Sequence, residues 1–185
     1  MKWQNGGILS KIDKFFQDPT PENYITALDL ISVDEHYEPY AMHIEKIEEL
    51  LDNNEFQAVL DGIVEALPTL ILSPIAHHLA HLAAEKIDDT ERTKMEDFMT
   101  QACLVCALRT GDGTRDKPFH VSLPQDEYAL MAALKRSTVK QELVQDGTRW
   151  LDVLKGEDDV ETVFDITRPY NRLTKKFGKN SEGNQ

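Results

Sequence analysis

The pattern of the chain changes at Gly111-Asp112-Gly113, and that change constrains the fold more than any other feature. Before it, apolar residues recur at helical spacing almost without a break. After it come short alternating segments separated by turn residues. Charge changes at the same place. Residues 1–110 carry 20 acidic and 8 basic side chains, a net of −12; residues 111–185 carry 13 and 12, a net of −1. The expected class is α+β: an acidic helical-repeat-like region of five or six helices over 1–110, then a small antiparallel β-rich subdomain over 111–177. A disordered polar tail is expected over 178–185.

Local signals place the helices. Ile8, Leu9, Ile12, Phe15 and Phe16 form a stripe that ends near Asp18-Pro19. Thr20 caps a second helix with Pro21 at its first position and Tyr24, Ala27, Leu28 and Ile31 inward. A third is expected from about Glu38 to Asn53, with Tyr40, Ile44, Ile47 and Leu51 inward. A fourth runs from Glu55 to about Leu67 and carries Phe56, Val59, Leu60, Ile63 and Val64. Ser73 and Pro74 start a fifth, carrying Ile75, Leu79, Leu82 and Ile87. Thr90 opens the longest, with Met95, Phe98, Met99, Ala102, Leu104, Val105 and Leu108, and Gly111 is expected as its left-handed stop. Short links favour helix pairs stacked side by side over a four-helix bundle, although the spacing is too irregular for a clean repeat.

Beyond Gly113, Pro118–Ser122 reads as a short strand and Asp126–Leu134 as a helix burying Tyr128, Leu130, Met131 and Leu134. Strands are expected near 138–145, 148–155 and 160–166, with Asp146-Gly147 marking a tight hairpin. Pro169 stops the third, and Tyr170–Phe177 packs back as a turn or helix.

These residues carry a resemblance. Leu108-Arg109-Thr110-Gly111-Asp112-Gly113, Phe119-His120-Val121, Asp126-Glu127-Tyr128, Trp150-Leu151-Asp152-Val153-Leu154 and Phe164-Asp165-Ile166-Thr167-Arg168-Pro169-Tyr170 stand in one order. Over roughly residues 70–177 the chain resembles an uncharacterised bacterial family with tetratricopeptide-like helix pairs followed by a small β-subdomain. It departs from that family at Thr114-Arg115-Asp116-Lys117-Pro118, where Lys-Ser or Lys-Thr is usual, and at Arg172, where Trp is frequent. The resemblance implies a fold and no catalytic residues.

A net charge of −13 disfavours nucleic acid and anionic membranes as partners and favours either a basic protein or plain solubility. No apolar run approaches the ~20 residues of a membrane span. Met1–Gly7 has no signal-peptide core, so a cytoplasmic location is expected.

Chemical motifs are weak. His77 and His81, with His78 between them, have the spacing of a metal-binding pair, but no third ligand is signalled and a packing helix is the better reading. Cys103-x-x-Cys106 lies inside a helix, where two buried reduced thiols fit better than a redox pair. Asp112 and Asp116 suit a turn better than calcium. No phosphate loop, nucleophile elbow or paired-carboxylate signature is present. Neither a cofactor nor a metal is expected.

The functional expectation is a non-enzymatic protein-binding module. Glu45, Glu48, Glu49 and Asp52 fall on one side of the third helix and are the expected partner-binding residues. The favoured form is an immunity protein neutralising a basic bacterial toxin domain. The alternatives are a general helical scaffold, or an enzyme using His77, His81, His120 or the cysteines.

Overall fold

The computed structural model describes residues 6–181, with side chains over residues 12–174. Among the described residues, six helices come first: α1 Gly6–Gln17, α2 Pro21–Ser32, α3 His43–Asp52, α4 Phe56–Glu65, α5 Pro74–Lys86 and α6 Thr90–Leu108. The expected caps form. Thr20 Oγ1 accepts from Asn23 N at 3.2 Å, and Ser73 Oγ accepts from Ala76 N at 3.3 Å, each one residue before a proline at the first helical position. α6 opens at Thr90 as expected, and its cap is Asp89, whose carboxylate accepts from Arg92 N at 3.0 Å. Helices pack mainly on their neighbours in sequence, α1 on α2, α3 on α4, α4 on α5, and most extensively α5 on α6.

The second part contains β1 Phe119–His120, α7 Asp126–Ala133, β2 Lys140–Asp146, β3 Arg149–Lys155, β4 Glu161–Asp165 and α8 Thr167–Ser181. The sheet order is β1-β4-β3-β2. β2, β3 and β4 are antiparallel, as expected, and the two-residue loop Gly147-Thr148 closes the first hairpin with Gly147 at φ +59°. β1 joins β4 in parallel, so the sheet is mixed. β4 ends at Asp165, and Pro169 lies within the first turn of α8. Of the tail expected to be disordered over 178–185, residues 178–181 fall within α8, and 182–185 lie outside the described residues.

One hydrophobic core runs from Ile12 and Phe15 through Ala27, Ile31, Leu79 and Cys106 to Phe119, Leu154, Phe164 and Ile166. Register puts Phe119, Phe164 and Asp152 on one sheet face, the face that joins this core. α8 packs against α2. Arg168 Nε donates to Asp29 Oδ1 at 2.8 Å, and Arg172 donates to the backbone carbonyls of Tyr37, at 2.8 Å, and Glu35. Arg172 thus tethers α8 to the turn after α2.

Several expected positions differ. α3 begins at His43, because residues 38–42 form a turn around Pro39, and Tyr40 is left 39% exposed. Val64, Ile87 and Tyr128 are also exposed. In α6 apolar and polar residues are not segregated to opposite sides, so periodicity alone could not choose its inner face. Glu96, Ala102, Cys103, Cys106 and Ala107 are buried there, while Met95, Phe98 and Val105 are exposed. Gly111 does not adopt a left-handed conformation. It is required because a Cβ there would stand 2.3 Å from the carbonyl oxygens of Lys117 and Pro118. The left-handed glycine is Gly113, at φ +78°.

Candidate functional site

The acidic face of α3 is built by the solvent side of the helix. Ile44 and Ile47 are buried; at 100° per residue Glu45 and Glu49 point away from them, Asp52 lies to the side, and Glu48, one turn after Ile44, sits at the edge of the buried stripe. All four are exposed. Among the described residues none of them is in an ion pair; Glu45 Oε1 accepts one hydrogen bond, from Gln125 Nε2 at 3.3 Å. The exposed Glu55, Asp61 and Glu65 extend the field along α4. Between Phe15 and Glu85 the sequence holds fourteen carboxylates and one cation, Lys46.

The histidines and cysteines are placed separately. His77 Nδ1 lies 2.6 Å from Glu96 Oε2, and its Nε2 lies 3.0 Å from the Ile71 carbonyl. His81 Nδ1 lies 3.1 Å from the Thr93 carbonyl, and His78 is exposed and stacks on His81. His120, on β1, has Arg168 and Asp165 as polar neighbours, at 3.2 and 4.0 Å, and burial lowers its pKa. Cys103 and Cys106 are free, buried thiols, and burial raises both pKa values. Asp112 makes an ordinary turn, accepting from Thr114 N and Oγ1 at 3.0 and 2.6 Å.

A buried carboxyl cluster at the start of α7 went unseen in the sequence. Asp126 accepts from Ser73 Oγ at 2.6 Å, Ser122 Oγ at 2.7 Å and Leu123 N at 3.2 Å, which ties α5, the loop after β1 and α7 together. Burial outweighs these bonds and pushes its pKa up to about 6. Glu127, 0% exposed, faces Asp152 of β3. Neither Glu127 oxygen, nor Asp152 Oδ1, has a conventional hydrogen-bond donor. Burial raises both groups, Glu127 most, with the Asp152 and Asp126 charges adding to it. Two buried carboxyls in contact hold together with a proton between them.

Over this pair lies a roof of side chains. Gln141 Nε2 donates to Asp152 Oδ2 at 2.5 Å, and Tyr128 Oη donates to Gln141 Oε1 at 2.9 Å. Tyr40 stands close enough for both carboxyls to raise its pKa, which burial and these charges push up to about 12. The signal in the sequence was Asp152 itself, a carboxyl in the middle of the apolar run Trp150–Leu154. Asp126 and Glu127 were masked because acids in a first helical turn ordinarily serve the helix dipole in solvent.

The arrangement joins a helical layer, a Gly-Asp-Gly turn and a small sheet in the order the sequence resemblance implied. A family model for a domain of unknown function, DUF4919, matches residues 30–175. The chain belongs to DUF4919. The match takes in α3, α7 and the whole sheet, so the acidic face and the carboxyl cluster both lie within the DUF4919 region. Comparison with curated proteins and with solved structures gives no match.

Proposed function

We propose that the chain is a non-enzymatic protein-binding module that receives a basic partner on its acidic helical layer and neutralises a basic toxin domain by direct contact. The observation that carries this reading is the α3 face: four exposed carboxylates, none paired with a cation of the chain among the described residues, on a helix anchored by Ile44 and Ile47. Such a face speeds encounter with a cationic surface, and its effect fades as salt screens charges beyond about 8 Å. The step from basic partner to toxin rests on analogy with small acidic immunity proteins.

The test is association kinetics with the product of the adjoining gene across a salt series. Glu45→Lys with Glu49→Lys slows association several-fold and flattens the salt dependence, while exposed positions cost stability only within about 0.5 kcal/mol. No complex, or a complex indifferent to both salt and the substitutions, defeats this reading. A general scaffold predicts no dependence on this face.

A further inference from the structure

The Glu127–Asp152 pair differs in kind from the α3 face. Exposed carboxylates are solvated, but this pair is out of water, and Glu127 is fully buried. An uncompensated buried carboxylate is costly, so such a pair is retained where something else is gained. Beyond the proton the pair shares, no donor from elsewhere among the described residues reaches either Glu127 oxygen or Asp152 Oδ1. Three arginines of the second part are engaged elsewhere. Arg168 holds Asp29, Arg172 holds two backbone carbonyls and Arg136 Nη1 donates to Thr162 Oγ1 at 2.8 Å. The charges that raise Glu127 beyond burial are those of Asp152 and Asp126, both negative.

Access runs through side chains. Gln141 sits on β2, the free edge of the sheet, and is exposed; Tyr128 is 52% exposed. These two side chains, joined to each other and to Asp152 Oδ2, are the groups that stand between solvent and the pair. This approach adjoins the acidic face, because Gln125, two residues before Glu127, is the residue that bonds Glu45 of α3.

A guest for this site needs positive charge, several donors for three acceptors, and a flat apolar surface to lie against tyrosine rings. A guanidinium meets all three requirements: five N–H donors in a planar fork, and favourable stacking on aromatic faces. We infer that Glu127 and Asp152 form the anchor socket for an arginine side chain of the partner, with Tyr40 and Tyr128 as walls and the Gln141 amide as the donor that the arginine displaces. The inference rests on the basic-partner reading and gives it a central contact. Arginine is also, with Trp and Tyr, one of the side chains enriched at interface hot spots. Entry of the cation ionises Glu127, and the proton shared by the pair leaves to water, so binding releases about one proton. Asp126, Tyr40 and Tyr128 are the other titratable groups facing the pair.

The test is an NMR titration of the full chain with the blocked peptide acetyl-Gly-Arg-Gly-amide, reading the side-chain carboxyl carbons. The expected result is one saturable site that shifts Glu127 and Asp152, with affinity rising from mildly acidic to mildly alkaline pH and several-fold weaker binding of the lysine analogue. Glu127→Gln with Asp152→Asn abolishes the site; Glu157→Gln, an exposed change in the turn after β3, retains it. If the first double variant fails to fold, Tyr128→Ala, an exposed change, supplies the same contrast by weakening the peptide several-fold. Unshifted carboxyls, or equal binding by the variants, overturns the socket. If a basic partner still binds in a salt-dependent way while the peptide leaves the carboxyls unshifted, the socket alone fails. If the peptide fills the socket but no basic protein forms a complex, the basic-partner reading alone fails.

Discussion

His77 Nδ1 meets Glu96 Oε2 at 2.6 Å inside the seam between α5 and α6, where both side chains are buried. The second Glu96 oxygen accepts from Arg92 Nε at 2.5 Å, and His77 Nε2 is engaged by the Ile71 carbonyl. The chain thus commits its most buried histidine to holding the largest helix–helix contact together.

Removing one partner leaves the other buried and uncompensated. Glu96→Ala is expected to cost about 3–5 kcal/mol, His77→Ala a comparable amount, and Arg92→Ala less, because its side chain is 28% exposed. Urea midpoints measure this. A loss below about 1 kcal/mol for Glu96→Ala would show that the seam does not depend on the pair.

Stability should peak at mildly acidic pH. Burial alone would raise the Glu96 pKa, but the His77 bond and the His77 and Arg92 charges outweigh it and hold it below its usual 4.5. Its contribution is therefore complete above that value and is lost as pH falls through the lowered one. Asp126, Glu127 and Asp152 act in the opposite sense. Their raised folded values mean that the native state binds more protons, so stability declines as pH rises from about 4, with Asp126 releasing near 6.

Glu127→Gln should flatten that decline, because glutamine keeps an N–H donor toward Asp152 without a titrating proton. The expected gain near neutral pH is on the order of 1–3 kcal/mol. Melting temperatures across a pH series decide it: a slope unchanged from wild type rules out the shared proton.

Cys103 and Cys106 should react with a thiol reagent only when the chain opens. Both are buried at helical spacing on the inner side of α6, and burial disfavours their thiolates. Native labelling is expected on the order of a thousandfold slower than labelling in urea. Comparable rates in the two conditions would contradict the placement of α6.

Two glycines separate backbone strain from crowding. Gly147 has φ +59° and open space around it, so Gly147→Ala should cost only about 1 kcal/mol. Gly113 has φ +78°, and a Cβ there would lie 2.7 Å from Phe119 Cε2, on a buried ring. Gly113→Ala should cost about 1–3 kcal/mol more. Equal losses, read from denaturation midpoints, would mean that Phe119 yields.

What was legible in the sequence was local. Thr20-Pro21 and Ser73-Pro74 specify helix starts through bonds within four residues, and Asp146-Gly147-Thr148 specifies a hairpin by its own dihedrals. Ile44 and Ile47 marked one side of α3, and that sufficed to place Glu45, Glu48, Glu49 and Asp52 in solvent. The illegible part depends on partners distant in sequence. Glu127 is buried because β3 brings Asp152 to it, and Asp126 because Ser73 lies 53 residues before it. Phe98 lies 47% exposed because α6 has no segregated apolar face, and which side turns inward is set by where α5 and α2 lie.

The clasp between α8 and the turn after α2 also bears on synthesis. Arg168 follows Asp29 by 139 residues, and Arg172 follows Tyr37 by 135. At ~5–20 residues per second, a ribosome delivers these arginines on the order of ten seconds after their acceptors. Throughout that interval the early helices stand open, with the carbonyls of Glu35 and Tyr37 facing solvent. A nascent chain halted before Arg168 would keep this seam open, giving cellular proteases a physical difference between an interrupted product and one that has closed.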